Sequence, residues 1–147
     1  MLNMRRGKYR YIGSGSSRRV FDLGNGYVVK VAKNRAGIAQ NKMEYKISLT
    51  DLSNLFAKVI QVSEDFYALI MEKADKIDNF SYVCNYFKAR SIIEVLKLKE
   101  IQDIHYRYNL LLNDLCRTSS WGIINGRPVI IDYGFTREIR KRYYSGF

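Results

Sequence analysis

The chain has 147 residues, 47% hydrophobic and 14% aromatic, which is enough apolar material for one domain with a real core and too much for a disordered whole. Its 25 Lys and Arg against 14 Asp and Glu leave a formal charge of +11, a positive field that attracts phosphate or acidic partners. No apolar run approaches the length of a bilayer span, and the charged start Met1-Leu2-Asn3-Met4-Arg5-Arg6 lacks a signal-type apolar segment, so the expectation is a cytoplasmic protein with no membrane part.

No repeat, low-complexity stretch or linker divides the sequence, and the single proline, Pro128, falls late. Cys84 and Cys116 form no Cys-x-x-Cys pair and are read as two reduced, partly buried thiols rather than a zinc or disulfide framework. Strand patterns run from Tyr9 to Gly13, from Arg19 to Leu23 and, after the Gly24-Asn25-Gly26 turn, through Tyr27-Val28-Val29-Lys30-Val31. From Ile38 to Leu49 the recurrence of Ala39, Met43 and Ile47 predicts a helix with one apolar stripe. Two further strands, Phe56 to Val62 and Phe66 to Met71, complete a five-stranded antiparallel sheet.

Helical spacing then takes over. Ile93, Leu96, Ile101, Ile104, Tyr108 and Leu111 predict one long helix. Beyond it, Trp121-Gly122-Ile123-Ile124 and Pro128-Val129-Ile130-Ile131 flank Asn125-Gly126, which suits a tight hairpin. Arg137 to Tyr144 reads as a basic C-terminal helix with Ile139 and Tyr143 packed four apart. His105 has no Ser, Cys or second His at triad or metal spacing and is read as structural.

Several residues are candidates for chemistry. Gly13-Ser14-Gly15-Ser16-Ser17 joins two predicted strands, where glycines let the backbone approach a phosphate, although a plain turn needs the same residues. Lys30, in an apolar strand, needs an anion, and Glu44 on the following helix is the candidate; Lys33 is a rival, and a strand-edge lysine reaching solvent is the bland alternative. Asp132 ends the Val-Ile-Ile run beside Gly134, a position suited to holding Mg2+ or to a simple turn. Arg5, Arg6, Lys8 and Arg10, with Arg18 and Arg19, read as a basic patch at the sheet edge.

In this order these motifs resemble the protein-kinase-like superfamily, from Tyr11 to Gly134. The resemblance implies an α+β fold in one domain, 1–147, with a five-stranded antiparallel N-lobe and one helix over about 1–74 and a reduced helical C-lobe with a β-hairpin over about 75–147. It implies that Gly13, Ser14 and Gly15 cover the phosphates of ATP, that Lys30 contacts them, and that Glu44 orients Lys30. Met71 then looks like the gatekeeper, Glu72 and Ala74 the hinge against the adenine, Asp114 the catalytic base, and Asp132 of Asp132-Tyr133-Gly134 the Mg2+ ligand.

The sequence also departs from the family. Leu112-Asn113-Asp114 replaces His-Arg-Asp, Arg117-Thr118-Ser119-Ser120 replaces the second metal ligand, and the Ala-Pro-Glu segment and the helices that dock peptide substrates do not follow Gly134. The expectations are therefore a minimal ATP- and Mg2+-binding kinase, a pseudokinase that modulates a partner, or a basic protein that binds nucleic acid or an acidic protein through its terminal segments. The small size and basic balance also fit a phage or mobile-element product, which would act in the host cytoplasm.

Overall fold

The computed structural model describes residues 9–144. Strands β1 (Arg10–Ser14), β2 (Arg18–Asp22), β3 (Tyr27–Ala32), β4 (Val59–Val62) and β5 (Ala68–Glu72) form an antiparallel sheet in the order β1-β2-β3-β5-β4. The β-branched run Tyr27–Ala32 takes the central place, pairing Val29 with Phe21 on one side and with Ile70 on the other. The turn before it is set locally, since Asp22 and Asn25 side chains accept from the Gly24 and Tyr27 amides and Gly24 and Gly26 adopt positive φ.

Helix α1 (Arg35–Thr50) starts at Asn34, whose side chain accepts from the Gly37 amide at 3.0 Å. Its buried face differs from the expected stripe. Ile47 is inside, but Ala39 and Met43 are only half-buried, and the face toward the sheet carries Gln40, Asn41 and Glu44. A helix whose inward face is polar escapes a search for apolar periodicity.

The predicted strand from Phe56 is shorter, because Leu55 to Ala57 leave the sheet and pair elsewhere. The Ile130 amide donates to Leu55 O at 2.7 Å, and the Ala57 amide to Ile130 O at 2.9 Å. Ile130 ends β8 (Arg127–Ile130), which with β7 (Trp121–Ile124) makes the expected hairpin through Asn125 and Gly126, both at positive φ. A two-residue strand, β6 (Asp75–Lys76), which the sequence did not signal, adds to β7.

The single long helix is corrected to several short ones. After α2 (Ser81–Phe87), α3 (Ile92–Leu96), α4 (Lys99–Tyr108) and α5 (Leu112–Leu115) are separate, because Leu98 is extended and Asn109 caps α4 in the left-handed region at φ 56°. The apolar positions keep helical spacing on each piece, which is why they read as one period, yet Ile93 lies outward with half its surface exposed. A 3-10 turn, Thr118–Ser120, leads to Trp121, which is buried and donates its indole N–H to Leu115 O at 2.9 Å. Helix α6 (Arg137–Tyr144) follows with Ile139 buried and Tyr143 half-buried.

One apolar core runs through both halves, from Leu69 and Met71 in the sheet to Val83, Val95, Ile101, Val129 and Ile130 below it. His105 is structural as expected, donating from Nδ1 to Leu110 O at 2.8 Å. Cys84 is half-buried, but Cys116 is exposed, contrary to the sequence reading. Among the described residues no helix is long and apolar enough to cross a membrane.

The Asn109 cap yields a test. Asn109→Val should lower stability by about 1–2 kcal/mol in urea unfolding because a β-branched residue is strained at this φ, whereas Asn109→Gly should be close to neutral.

Candidate functional site

The site is organised by Glu44, which lies at 0% exposure on the sheet-facing side of α1. Lys30, midway along β3, donates from Nζ to Glu44 Oε1 at 3.0 Å and Oε2 at 3.1 Å, and to Ile131 O at 2.6 Å. The amides of Tyr133 and Gly134 both donate to Glu44 Oε2 at 3.0 Å. One carboxylate therefore ties the strand lysine to the segment that follows β8.

Arg18 completes the cluster, and the sequence reading misplaced it. Expected in an edge patch, it is 6% exposed, with Nη1 donating to Glu44 Oε1 at 2.7 Å and Asn41 Oδ1 at 3.1 Å. Its Nη2 donates to Glu44 Oε2 at 3.0 Å and Asp132 Oδ1 at 2.9 Å. The available signal was strand alternation, which puts Arg18 on the same face as Val20. Arg5, Arg6 and Lys8 of that patch lie outside the described residues.

Burial pushes the Glu44 carboxyl up, but the charges of Arg18 and Lys30 and the Tyr133 amide outweigh it and hold it down at about 2. Burial likewise pulls Lys30 below the ordinary lysine range, against the opposing attraction of Glu44.

Gly13 and Ser14 end β1, and Gly15 opens the turn to β2, closed by the Gly15 amide donating to Arg18 O at 2.9 Å. A Cβ at Gly13 or Gly15 would meet nothing within 4 Å, so the loop has open space beside it. The two candidate lysines separate here. Lys33 is exposed and donates to Gly15 O at 2.7 Å, fastening the loop, while Lys30 belongs to the buried cluster. At the other end of the chain, the Tyr144 hydroxyl of α6 is hydrogen-bonded to Ser17 Oγ and lies 3.4 Å from Ser16 Oγ.

Met71 is buried opposite Val28, and Glu72 turns its side chain outward to accept from the Lys58 amide at 2.8 Å. Lys73 and half-buried Ala74 then cross from the first sheet to the second. Asp132 is exposed over 54% of its side chain, so the carboxylate reaches solvent while bonded to Arg18. Asp114, in α5, is pushed up by burial; the Asp132 charge adds to this, and Arg117 and Arg140 oppose it. Asn113 and Ser119 are exposed, and Ser120 is buried with its carbonyl accepting from the Ile131 amide.

Gly134 lets the segment approach α1. A Cβ there would run into Gln40 O and stand 3.0 Å from Glu44 Cγ. A cavity of about 260 Å³ between α1, the end of α4 and α6 contains none of these residues.

Among the described residues no three His, Cys, Asp or Glu side chains gather as a metal site. Asp132 nevertheless fits Mg2+, which takes one or two carboxylates and fills its remaining positions with phosphate oxygens and water.

This architecture is the protein-kinase-like fold. Among solved structures 22 chains match. One of them is the ternary complex of APH(2")-IIa, an aminoglycoside phosphotransferase, with streptomycin and ATP, at a TM-score of 0.50 and 17% identity, covering 91% of this chain and 72% of that one. No protein-family model matches the chain, and no curated protein sequence does.

Two variants probe the hub. Glu44→Gln should cost about 3–5 kcal/mol at neutral pH because it leaves Arg18 and Lys30 buried with half their partner gone. Since the carboxyl is held at about 2 against an ordinary 4.5, its contribution is present above pH 4.5 and is lost as pH falls toward 2. The variant's deficit should therefore shrink with acidification, measured by urea unfolding across that range. Gly134→Ala should lower stability by roughly 1–3 kcal/mol and loosen the Gly134 amide, read by hydrogen exchange.

Proposed function

We propose that the chain binds ATP with Mg2+ in the cleft between the five-stranded sheet and the helical half, and transfers the γ-phosphate to a hydroxyl acceptor. The observation that carries this is Glu44 bonding at once to Lys30 and to the Tyr133 and Gly134 amides, which brings a buried cation and an exposed carboxylate, Asp132, into one cluster. Mg2+ held by Asp132 would neutralise charge on the phosphates. The loop amides after Gly13 supply further donors, and Met71 with the backbone of Glu72 and Ala74 borders the adenine. Asp114, its pKa raised by burial, is suited to take the acceptor hydroxyl's proton. The structural neighbour solved with ATP supports the choice of nucleotide.

Mg-ATP should raise the unfolding temperature, since a ligand present at a hundred times its Kd stabilises by about 2.7 kcal/mol. No shift at millimolar nucleotide would sink the reading. If transfer occurs, label from γ-labelled ATP should enter an acceptor with wild type and fall at least a hundredfold with Asp114→Ala. Binding without transfer would leave a pseudokinase that modulates a partner.

A second reading rests on α6, whose Arg137, Arg140 and Arg142 are exposed beside the loop that Tyr144 touches. These charges suit an acidic protein surface or nucleic acid, and binding through them should weaken steeply with salt and lose about one unit of salt slope for each arginine replaced by Ala.

A further inference from the structure

We infer that Arg18, rather than Lys30, is the cation that meets the phosphates of the nucleotide, a reading that rests on the proposed ATP site. An ammonium has three N–H donors, and those of Lys30 face three acceptors of the protein itself: Glu44 Oε1, Glu44 Oε2 and Ile131 O, the last at 2.6 Å. Lys30 is 5% exposed and has no donor left over. Its charge balances Glu44, and its hydrogen bonds are spent on holding β3 to the segment after β8. Lys33 is committed on the outer side to Gly15 O.

Arg18 differs in one respect. Its guanidinium is also buried and is held from three directions by Glu44 Oε1, Glu44 Oε2 and Asn41 Oδ1. Its remaining partner is Asp132, half of whose side chain lies in solvent. Of the two buried cations, only Arg18 therefore has a donor whose partner is a solvent-exposed carboxylate, and the fixed fork of a guanidinium matches a phosphate oxygen. Asp132 is also the carboxylate suited to Mg2+. Were Asp132 to hold Mg2+, Arg18 would keep its Glu44 anchor while its Nη2 donor lost the carboxylate, and a phosphate oxygen is an acceptor of like charge for that donor.

The test compares the affinity for adenosine with that for Mg-ATP, both taken from ligand-dependent unfolding temperatures, in wild type, Arg18→Met, Lys30→Met and Arg18→Lys. The ratio of the two affinities isolates what the phosphates add. A charge-assisted hydrogen bond is worth about tenfold to a hundredfold. Arg18→Met should therefore cut the ratio at least about tenfold and by more than Lys30→Met does. A ratio preserved in Arg18→Met, or cut as much by Lys30→Met, overturns the assignment and returns the contact to Lys30. Should Arg18→Met fail to fold, Arg18→Lys carries the comparison. A shorter point charge cannot bond Glu44 and a phosphate together, so its ratio should fall several-fold, and an unchanged ratio overturns the assignment. Wild type that responds to neither ligand refutes the ATP site itself, and the role of Arg18 with it.

Discussion

Six hydrogen bonds converge on the carboxylate of Glu44: two from Arg18, two from the Lys30 ammonium, and one each from the amides of Tyr133 and Gly134. A carboxylate at 0% exposure is costly to desolvate, and only complete hydrogen bonding and nearby positive charge offset that cost. Both conditions are met, since no buried side-chain polar atom among the described residues lacks a partner. Because its donors come from β2, β3 and the segment after β8, this one group sets the spacing of elements far apart in sequence.

The cluster also accounts for the composition of α1. A helix packed on a sheet would ordinarily turn an apolar face inward, but here Gln40, Asn41 and Glu44 occupy that face and Ile47 anchors its end. Asn41 works in two directions, accepting from Arg18 and donating to Phe66 O at 2.8 Å, so the loop before β5 is fastened to the same network. Apolar packing continues around the network, with Val29, Leu69 and Met71 buried in the sheet and Val83, Val95 and Ile101 in the lower half. Stability in the upper half thus draws on hydrophobic burial and ionic hydrogen bonding together.

Much of this was legible from the sequence because it is written in local patterns. The β-branched run at Tyr27–Ala32 and the Asn125-Gly126 turn follow from rules that act within a few residues, whereas Gly13, Lys30, Glu44, Asp114 and Asp132 stood out through the resemblance that their order carries. What escaped was non-local. Arg18 looks like one more basic residue on a basic chain until β2 turns it inward toward Glu44, twenty-six positions away. The breaks at Leu98 and Asn109 interrupt a continuous apolar spacing without any glycine or proline to mark them, and they appear only when α3 and α4 pack separately. Phe56 carries a strand signal but pairs with Ile130 instead of extending β4, a choice made by the tertiary fold.

That pairing has a mechanical meaning. The chain from α1 to β4 is clamped to β8 by two backbone hydrogen bonds, the Tyr133 hydroxyl donates to Ala57 O at 2.6 Å, and the Phe56 and Tyr133 rings pack at a tilt of 49° with centroids 4.5 Å apart. Upper and lower halves are thereby joined by a second set of contacts besides those of Glu44. A rotation of one half against the other would have to shear these bonds together with the ionic cluster. The segment between β1 and β2 is fastened differently, by the exposed Lys33 at Gly15 O and by the Tyr144 hydroxyl at Ser17 Oγ. The last turn of α6 is thus tied back to the start of the sheet across 127 positions of sequence.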